Sequence, residues 1–261
     1  MNIIVCVKQV PDTNEVRLDP VKGTLIRDGV PSIMNPDDKA GLEAALRIKD
    51  ENPDTKVTVL SMGPPQADDV LREAMAMGAD EAILVTDRAF GGADTWATSS
   101  TIAGAIKRLD YDLIFTGRQA IDGDTAQVGP EMSEHLGIPC VSYAADIKVE
   151  GNEVVVKRQF EDRDHIIRVE MPCLITALSE LNTPRYMTPG GIFDAYHERE
   201  VRVFNRADVD VADENIGLAG SPTHVVKSFP KSVKAPGMKI ETGVEESVQF
   251  IMDKLEEKYL L

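Results

Sequence analysis

The chain is sparing with cysteine, histidine and positive charge, and it has no long apolar run. Its three cysteines, Cys6, Cys140 and Cys173, lie far apart and form no C-x-x-C pair. That spacing offers no disulfide framework and no zinc site, and it suits a reducing compartment. No apolar stretch is long enough to span a bilayer, so membrane insertion is not expected. The start, Met1-Asn2-Ile3-Ile4-Val5, lacks a basic region and reads as a strand. No signal peptide is therefore expected, and the cytoplasm is the expected location.

Several chemical signatures are also missing. There is no G-x-G-x-x-G after the first strand and no G-x-x-x-x-G-K-[ST] loop. There is no G-x-S-x-G elbow. The four histidines, His135, His165, His197 and His224, show no i, i+4 pairing for a metal. No pair of groups reads as a general acid and base. No catalytic side chain and no metal site are expected, so any chemistry would come from a bound cofactor. Acidic residues outnumber basic ones 44 to 28, giving a formal net charge of −16. Such a field repels phosphate backbones and anionic lipids, which makes nucleic acid and membrane surfaces poor partners. The acidic run Asp208, Asp210, Asp213, Glu214 reads as a solvated face.

What the chain does have is alternation. Its 261 residues, 43% of them hydrophobic, suffice for a substantial core. Apolar strand runs occur at Ile3 to Val7, Val57 to Leu60, Ala82 to Val85 and Leu113 to Thr116. Between them lie helical patterns at Asp37 to Lys49, Asp68 to Met77 and Thr95 to Leu109. A further helix is expected over Glu131 to Leu136. Repeated β-α units imply a parallel sheet with helices on both faces. The pattern then changes. Val154 to Arg158 and His165 to Val169 flank Glu161-Asp162-Arg163-Asp164, which predicts a hairpin. Pro172 to Thr176 returns as a buried strand, and the domain is expected to close near Leu181.

From Asn182 prolines and glycines punctuate the chain, from Pro184 to Pro230 and Pro236. Yet Val201, Val203, Phe204, Val225, Val226 and Phe229 are too apolar for a solvated linker. Val244, Val248, Ile251, Leu255 and Tyr259 fall on one face of a final helix. Docking of this arm on a partner and folding back onto its own domain are equally open from periodicity.

Three loops follow strands at the carboxyl edge of the expected sheet, where open α/β sheets bind ligands. They are Lys8 to Asn14, Phe90 to Thr95, and Gly117-Arg118-Gln119-Ala120-Ile121-Asp122-Gly123-Asp124-Thr125-Ala126-Gln127-Val128-Gly129-Pro130. Asn35-Pro36-Asp37-Asp38 and Met62-Gly63 fit the same crevice. Glycines let the backbone N–H groups approach an anion, and a following helix start adds free donors and a positive dipole end. Pro130 either occupies the first helical turn or interrupts a helix begun near Thr125. A plain turn is the competing reading of any one loop.

Five motifs then run in order over nearly the whole chain. They are Val5-Cys6-Val7-Lys8, Met34-Asn35-Pro36, Met75-Ala76-Met77-Gly78-Ala79-Asp80, Gly117-Arg118-Gln119-Ala120-Ile121-Asp122 and Asn182-Thr183-Pro184-Arg185-Tyr186. Together they resemble the β subunit of an electron-transfer flavoprotein. The resemblance implies a Rossmann-like nucleotide-binding domain over residues 1–181 and a partner-recognition segment over 182–204. It implies a C-terminal arm and helix over 205–261, docked on an α subunit that carries its own FAD. In conventional members the β pocket holds AMP. In another branch, which includes electron-bifurcating members, it holds a second FAD. Asp87 to Thr95 and Asp122 to Pro130 are similar to the FAD-binding branch.

By that resemblance NADH gives a hydride to the β-subunit flavin. One electron passes to the α-subunit flavin and on to an acyl-CoA dehydrogenase, the other to ferredoxin or flavodoxin. Phe90, Gly91, Gly92, Ala93, Asp94 and Thr95 would flank the flavin. Gln119, Ala120, Ile121, Asp122, Gly123, Asp124, Thr125, Ala126, Gln127, Val128 and Gly129 would hold the pyrophosphate and adenylate. Cys6, Asn35, Pro36, Asp37, Asp38 and Met62 would line the adenosine part. A conventional carrier with AMP and a non-redox nucleotide-binding module are the alternatives. The segment 187–199 departs from the family pattern. Pro189 stands where conventional members carry an anchoring leucine, and the lysine run is mostly gone. Docking of a dehydrogenase there would fall to Ile192 or Phe193.

Overall fold

The computed structural model describes residues 1–12, 31–226 and 236–261. Asn14, Phe229 and Pro230, named above, lie outside the described residues. In chain order the strands are β1 (Asn2–Cys6), β2 (Gln9–Pro11), β3 (Ser32–Met34), β4 (Lys56–Met62), β5 (Glu81–Val85), β6 (Leu113–Gly117), β7 (Cys140–Glu150), β8 (Glu153–Gln159), β9 (Asp164–Glu170), β10 (Cys173–Ala177) and β11 (Val201–Phe204). The α-helices are α1 (Pro36–Glu51), α2 (Asp68–Met77), α3 (Thr95–Ile106), α4 (Val128–Leu136), α5 (Pro189–His197) and α6 (Val244–Glu257).

Among the described residues one nine-stranded sheet has the order β11-β5-β4-β1-β6-β10-β7-β8-β9. Strands from β11 to β7 run parallel, and β8 and β9 add an antiparallel meander. A separate two-stranded sheet pairs β2 with β3. The expected α/β class, parallel sheet and hairpin addition are all present.

The central strands are apolar throughout because both faces are covered. Their side chains alternate between two cores. Ile3, Val5, Leu113, Phe115 and Ile175 face α1 and α2, with Leu42, Leu46 and Leu71. Ile4, Ile114 and Leu174 face α3 and α4, with Ile102, Ile106 and Met132. The chain builds outward from β1 through β4 to β5, then returns to β6 on the other side of β1. The carboxyl ends of β1 and β6 therefore form the topological switch point, where doubly wound sheets open a crevice.

The helix starts follow local chemistry. Pro36 takes the first turn of α1, with Asp37 and Asp38 beside it. Asp94 caps α3 by accepting from the Ala97 amide at 3.0 Å. Gly78 and Gly137 close α2 and α4 with positive φ of 132° and 66°. The helix expected over Thr95 to Leu109 ends at Ile106, and the one expected from Glu131 begins three residues earlier.

The expected boundary at residue 181 moves. The compact α/β unit runs from Met1 to Val226. Thr188 caps α5 by accepting from Gly191 at 3.0 Å, and Ala195 of α5 is fully buried. Arg72 of α2 donates to the Ala195 carbonyl and lies over the Tyr196 ring at 5.4 Å. β11 adds to the sheet edge beside β5. The chain then runs back over the α3 face. Asp210 donates to the Gly104 carbonyl, and Leu218 to that of Gly91. Residues 182–226 thus belong to the α/β unit. The arm proper is the second unit, Lys227 to Leu261. Within it α6 exposes Val244, Val248 and Ile251. Tyr259 lies beyond the end of α6 and is not part of its stripe.

Arg185 anchors the Asn182-to-Tyr186 motif to α1. It meets the buried Glu43 carboxylate at 2.9 Å and Asp50 at 2.7 Å. Burial raises the Glu43 pKa, but hydrogen bonds from Arg185 and Arg47 outweigh that and hold it below the usual range.

Candidate functional site

The crevice is built on two carboxylates at the start of α1. Asp38 accepts the Lys8 amide at 2.8 Å and the Gly117 amide at 2.9 Å, joining the ends of β1 and β6. Asp37 accepts the Ser179 amide beyond β10 at 3.0 Å and faces Arg118 Nε at 3.5 Å. Asn35 is fully buried, donates to the Gln119 carbonyl at 2.8 Å and accepts from the Ile121 amide at 3.1 Å. The side chains of Asn35, Asp37 and Asp38 are thus spent on holding the crevice floor. Their place is at the expected site, but their polar atoms are turned to the protein's own backbone.

Burial pushes the Asp38 carboxyl up to about 7, against hydrogen bonds from Asn35, Lys8 and Gly117. A carboxyl raised on folding stabilises fully below its unfolded value and loses that stability as pH rises through the folded one. Wild-type stability in urea is therefore expected to fall between about pH 4 and 7 through this group. Asp38→Asn should flatten that slope. A slope unchanged in Asp38→Asn would assign it elsewhere.

The long loop begins after β6. Gly117 is a close-approach glycine: a Cβ there would lie 2.8 Å from both Asp37 Cβ and the Asp38 nitrogen. Lys8 Nζ reaches across to Asp122 at 2.7 Å, and Gln119 Nε2 to Asp124 at 2.7 Å. Gly123 and Asp124 both donate to the Ala120 carbonyl. Asp124 and Ala126 take φ of 52° and 54°. Left-handed non-glycine residues are uncommon and cluster at functional sites, and Ala126 is followed by the right-handed Gln127, a pair of the kind that builds an anion-binding nest. The amides of residues 125–129 donate to no acceptor among the described residues. α4 starts at Val128, so Pro130 sits in its first turn, where an amide is not needed.

The second loop lies alongside. Thr95 Oγ1 is 3.1 Å from Gln127 Oε1 and 3.1 Å from Glu131 Oε1, which puts the start of α3 against the start of α4. The amides of Gly92, Ala93, Thr95 and Trp96 also lack acceptors among the described residues. The other wall is the returning segment. The Asp94 amide donates to Ser221 Oγ at 2.8 Å, and the Asp94 carboxylate accepts from Thr223 at 2.9 Å.

Four expected residues contribute differently from the open loops. The Phe90 ring is buried in the α3-side core, so this residue offers the crevice only backbone. Cys6 and Met62 pack partly against the same core at the ends of β1 and β4. Burial, then Asp38, pushes the Cys6 thiol far up, so it is neutral. Gly129 is a packing glycine, since a Cβ would meet Thr116 Oγ1 at 2.7 Å and Thr176 Cγ2 at 2.9 Å. Pro36 is exposed beside the crevice floor, and Ala93, Ala120, Ile121 and Val128 are half-buried in the loops.

Sequence reasoning placed Lys8 in a crevice loop without its pairing to Asp122, and missed Trp96, Glu131 and the 221–223 wall. Arg118 was visible within its motif, but its pairing with Asp37 was not. The wall depends on long-range folding that no local pattern announces.

A doubly wound α/β sheet with amide-rich loops meeting at its switch point has the architecture by which such folds bind nucleotides. No helix of the described residues is long and apolar enough to cross a membrane. Residues 22–208 match the model of the electron transfer flavoprotein domain. The chain is 58% identical to an electron transfer flavoprotein subunit beta of Clostridium acetobutylicum, over the whole of both chains. It is 55% identical to a caffeyl-CoA reductase–Etf complex subunit of Acetobacterium woodii, also over the whole of both. It is 47% identical to an acryloyl-CoA reductase electron transfer subunit gamma of Anaerotignum propionicum, again over both entire chains. The chain belongs to the electron transfer flavoprotein family, as a β subunit.

Proposed function

We propose that this β subunit binds FAD in the switch-point crevice and works in an electron-bifurcating heterodimer with an FAD-bearing α subunit. The observation that carries the reading is the pairing of two amide-rich loops. One loop suffices for the phosphate of AMP. Two loops joined at Thr95 suit a pyrophosphate with a ring system beyond it.

The residues fit such a group. Residues 125–129 offer successive N–H donors at a helix start, where the dipole favours phosphate. Gly92 takes a positive φ of 75° against Leu218, which only glycine adopts readily, and Lys8, paired with Asp122 at 2.7 Å, stands beside the long loop. The bound flavin would supply the change from two-electron to one-electron transfer. This chain's residues bind and orient it and exclude water.

The relatives named for caffeyl-CoA and acryloyl-CoA reductase favour an acyl-CoA dehydrogenase or reductase as one electron acceptor. Ferredoxin or flavodoxin would be the other, with NADH as the donor. Three free thiols suit a cytoplasmic setting. The test is NADH oxidation by the purified heterodimer with each acceptor alone and with both. Full rate only with both supports bifurcation, and full rate with one acceptor alone contradicts it.

A further inference from the structure

Between α3 and α4 lies a polar cluster centred on Glu131. Glu131 Oε1 is 3.1 Å from Thr95 Oγ1, and Glu131 Oε2 is 3.1 Å from Ser99 Oγ. Ser99 and Ser100 hydroxyls are each 3.2 Å from His135 Nε2. Both serines are buried. The Trp96 ring stands edge-on to His135 at 4.6 Å.

The proton count orders the cluster. Each hydroxyl has one proton to donate. If Ser99 donates to Glu131, the imidazole must donate through Nε2–H. Burial keeps His135 towards its neutral form, with Glu131 opposing. Glu131 also stands in the first turn of α4, where a carboxylate competes with any anion for the free amides. The α3 hydroxyls draw it away from them.

We propose that Glu131 is a positioning residue of the crevice: it holds the loop 90–95 against the loop 118–129 through Thr95, touching neither nucleotide nor substrate. The role rests on the crevice binding an adenine nucleotide. Glutamine can fill it. Its carbonyl accepts from Thr95, and its amide donates to Ser99, which then donates to the Trp96 carbonyl 2.9 Å away. Alanine cannot, although it keeps the helix.

The test strips the nucleotide from the heterodimer and titrates FAD, and separately AMP, into Glu131→Ala, Glu131→Gln, Thr95→Val and the Glu131→Ala/Thr95→Val double variant. Glu131→Ala should weaken binding about tenfold. Glu131→Gln should stay within about twofold of wild type. The double variant should lose no more than Thr95→Val alone, because the two act through one contact. Additive losses, or binding unchanged in Glu131→Ala, overturn the proposal.

Trp96 is the only tryptophan, so its emission in the full chain without its partner reads the loops independently of ligand. It should shift in Glu131→Ala and return in Glu131→Gln. Should wild type bind neither nucleotide, the crevice reading fails, and an unshifted emission would then remove the positioning role as well.

Discussion

Gly117→Val should destabilise the α/β unit by about 4 kcal/mol, lowering the midpoint of thermal melting by on the order of 10 °C. The reason is local. A side chain at 117 has no space, because Asp37 Cβ and the Asp38 nitrogen would lie within 2.8 Å. Neither can retreat, since both belong to the first turn of α1. The Asp38 carboxylate would be displaced, leaving the buried Gly117 amide without its acceptor. Overpacking costs about 1–3 kcal/mol, and an orphaned buried donor about 1–3 more. Together these are a large share of a marginal native stability. Gly190→Ala is the control, because nothing lies within 4 Å of a Cβ there. Equal melting points for the two variants would mean that the switch point is not packed as described.

Gly123→Val should do the opposite: leave the fold and empty the crevice. Gly123 is exposed, and a Cβ there meets nothing within 4 Å. Stability should change by no more than about 0.5 kcal/mol. A branched side chain beside the free amides of 125–127 would keep a phosphate from reaching them. Losing two charge-assisted hydrogen bonds weakens binding by on the order of 100-fold. The heterodimer should then be purified with the α-subunit nucleotide alone. Gly129→Val is not an equivalent test, because that glycine packs α4 against Thr116 and Thr176. Unchanged nucleotide content in Gly123→Val, with lowered stability, would make the loop a plain turn.

Seven of the nine strands of the main sheet and four of its helices were legible because their signals are local. Ile3 to Val7 and Leu113 to Thr116 are apolar on both faces. Asn35-Pro36-Asp37 and Gly78 mark helix ends by their own backbone chemistry. α5 was hidden by Pro189-Gly190-Gly191, which reads as a breaker. Thr188 and Pro189 are in fact a cap and a first turn, and Gly191 fits against the Ala76 carbonyl. β7 is diluted by Ser142, Ala144 and Ala145, and β11 is short. Both become strands through their neighbours, as edge and transitional strands often do.

The site was legible as a set of loops and not as a set of contacts. Glycine content and position marked residues 90–95 and 117–130. Which glycine is open and which is packed depends on residues far away in sequence, such as Thr176 for Gly129. Asp37 and Asp38 share a place with the crevice but serve its floor, a distinction that only hydrogen-bond partners reveal.

The central claim is that the crevice holds FAD. It is tested most directly by denaturing the purified heterodimer and identifying the nucleotides released. Two FAD per heterodimer is the expected result. One FAD with one AMP would contradict it and leave a conventional carrier in its place.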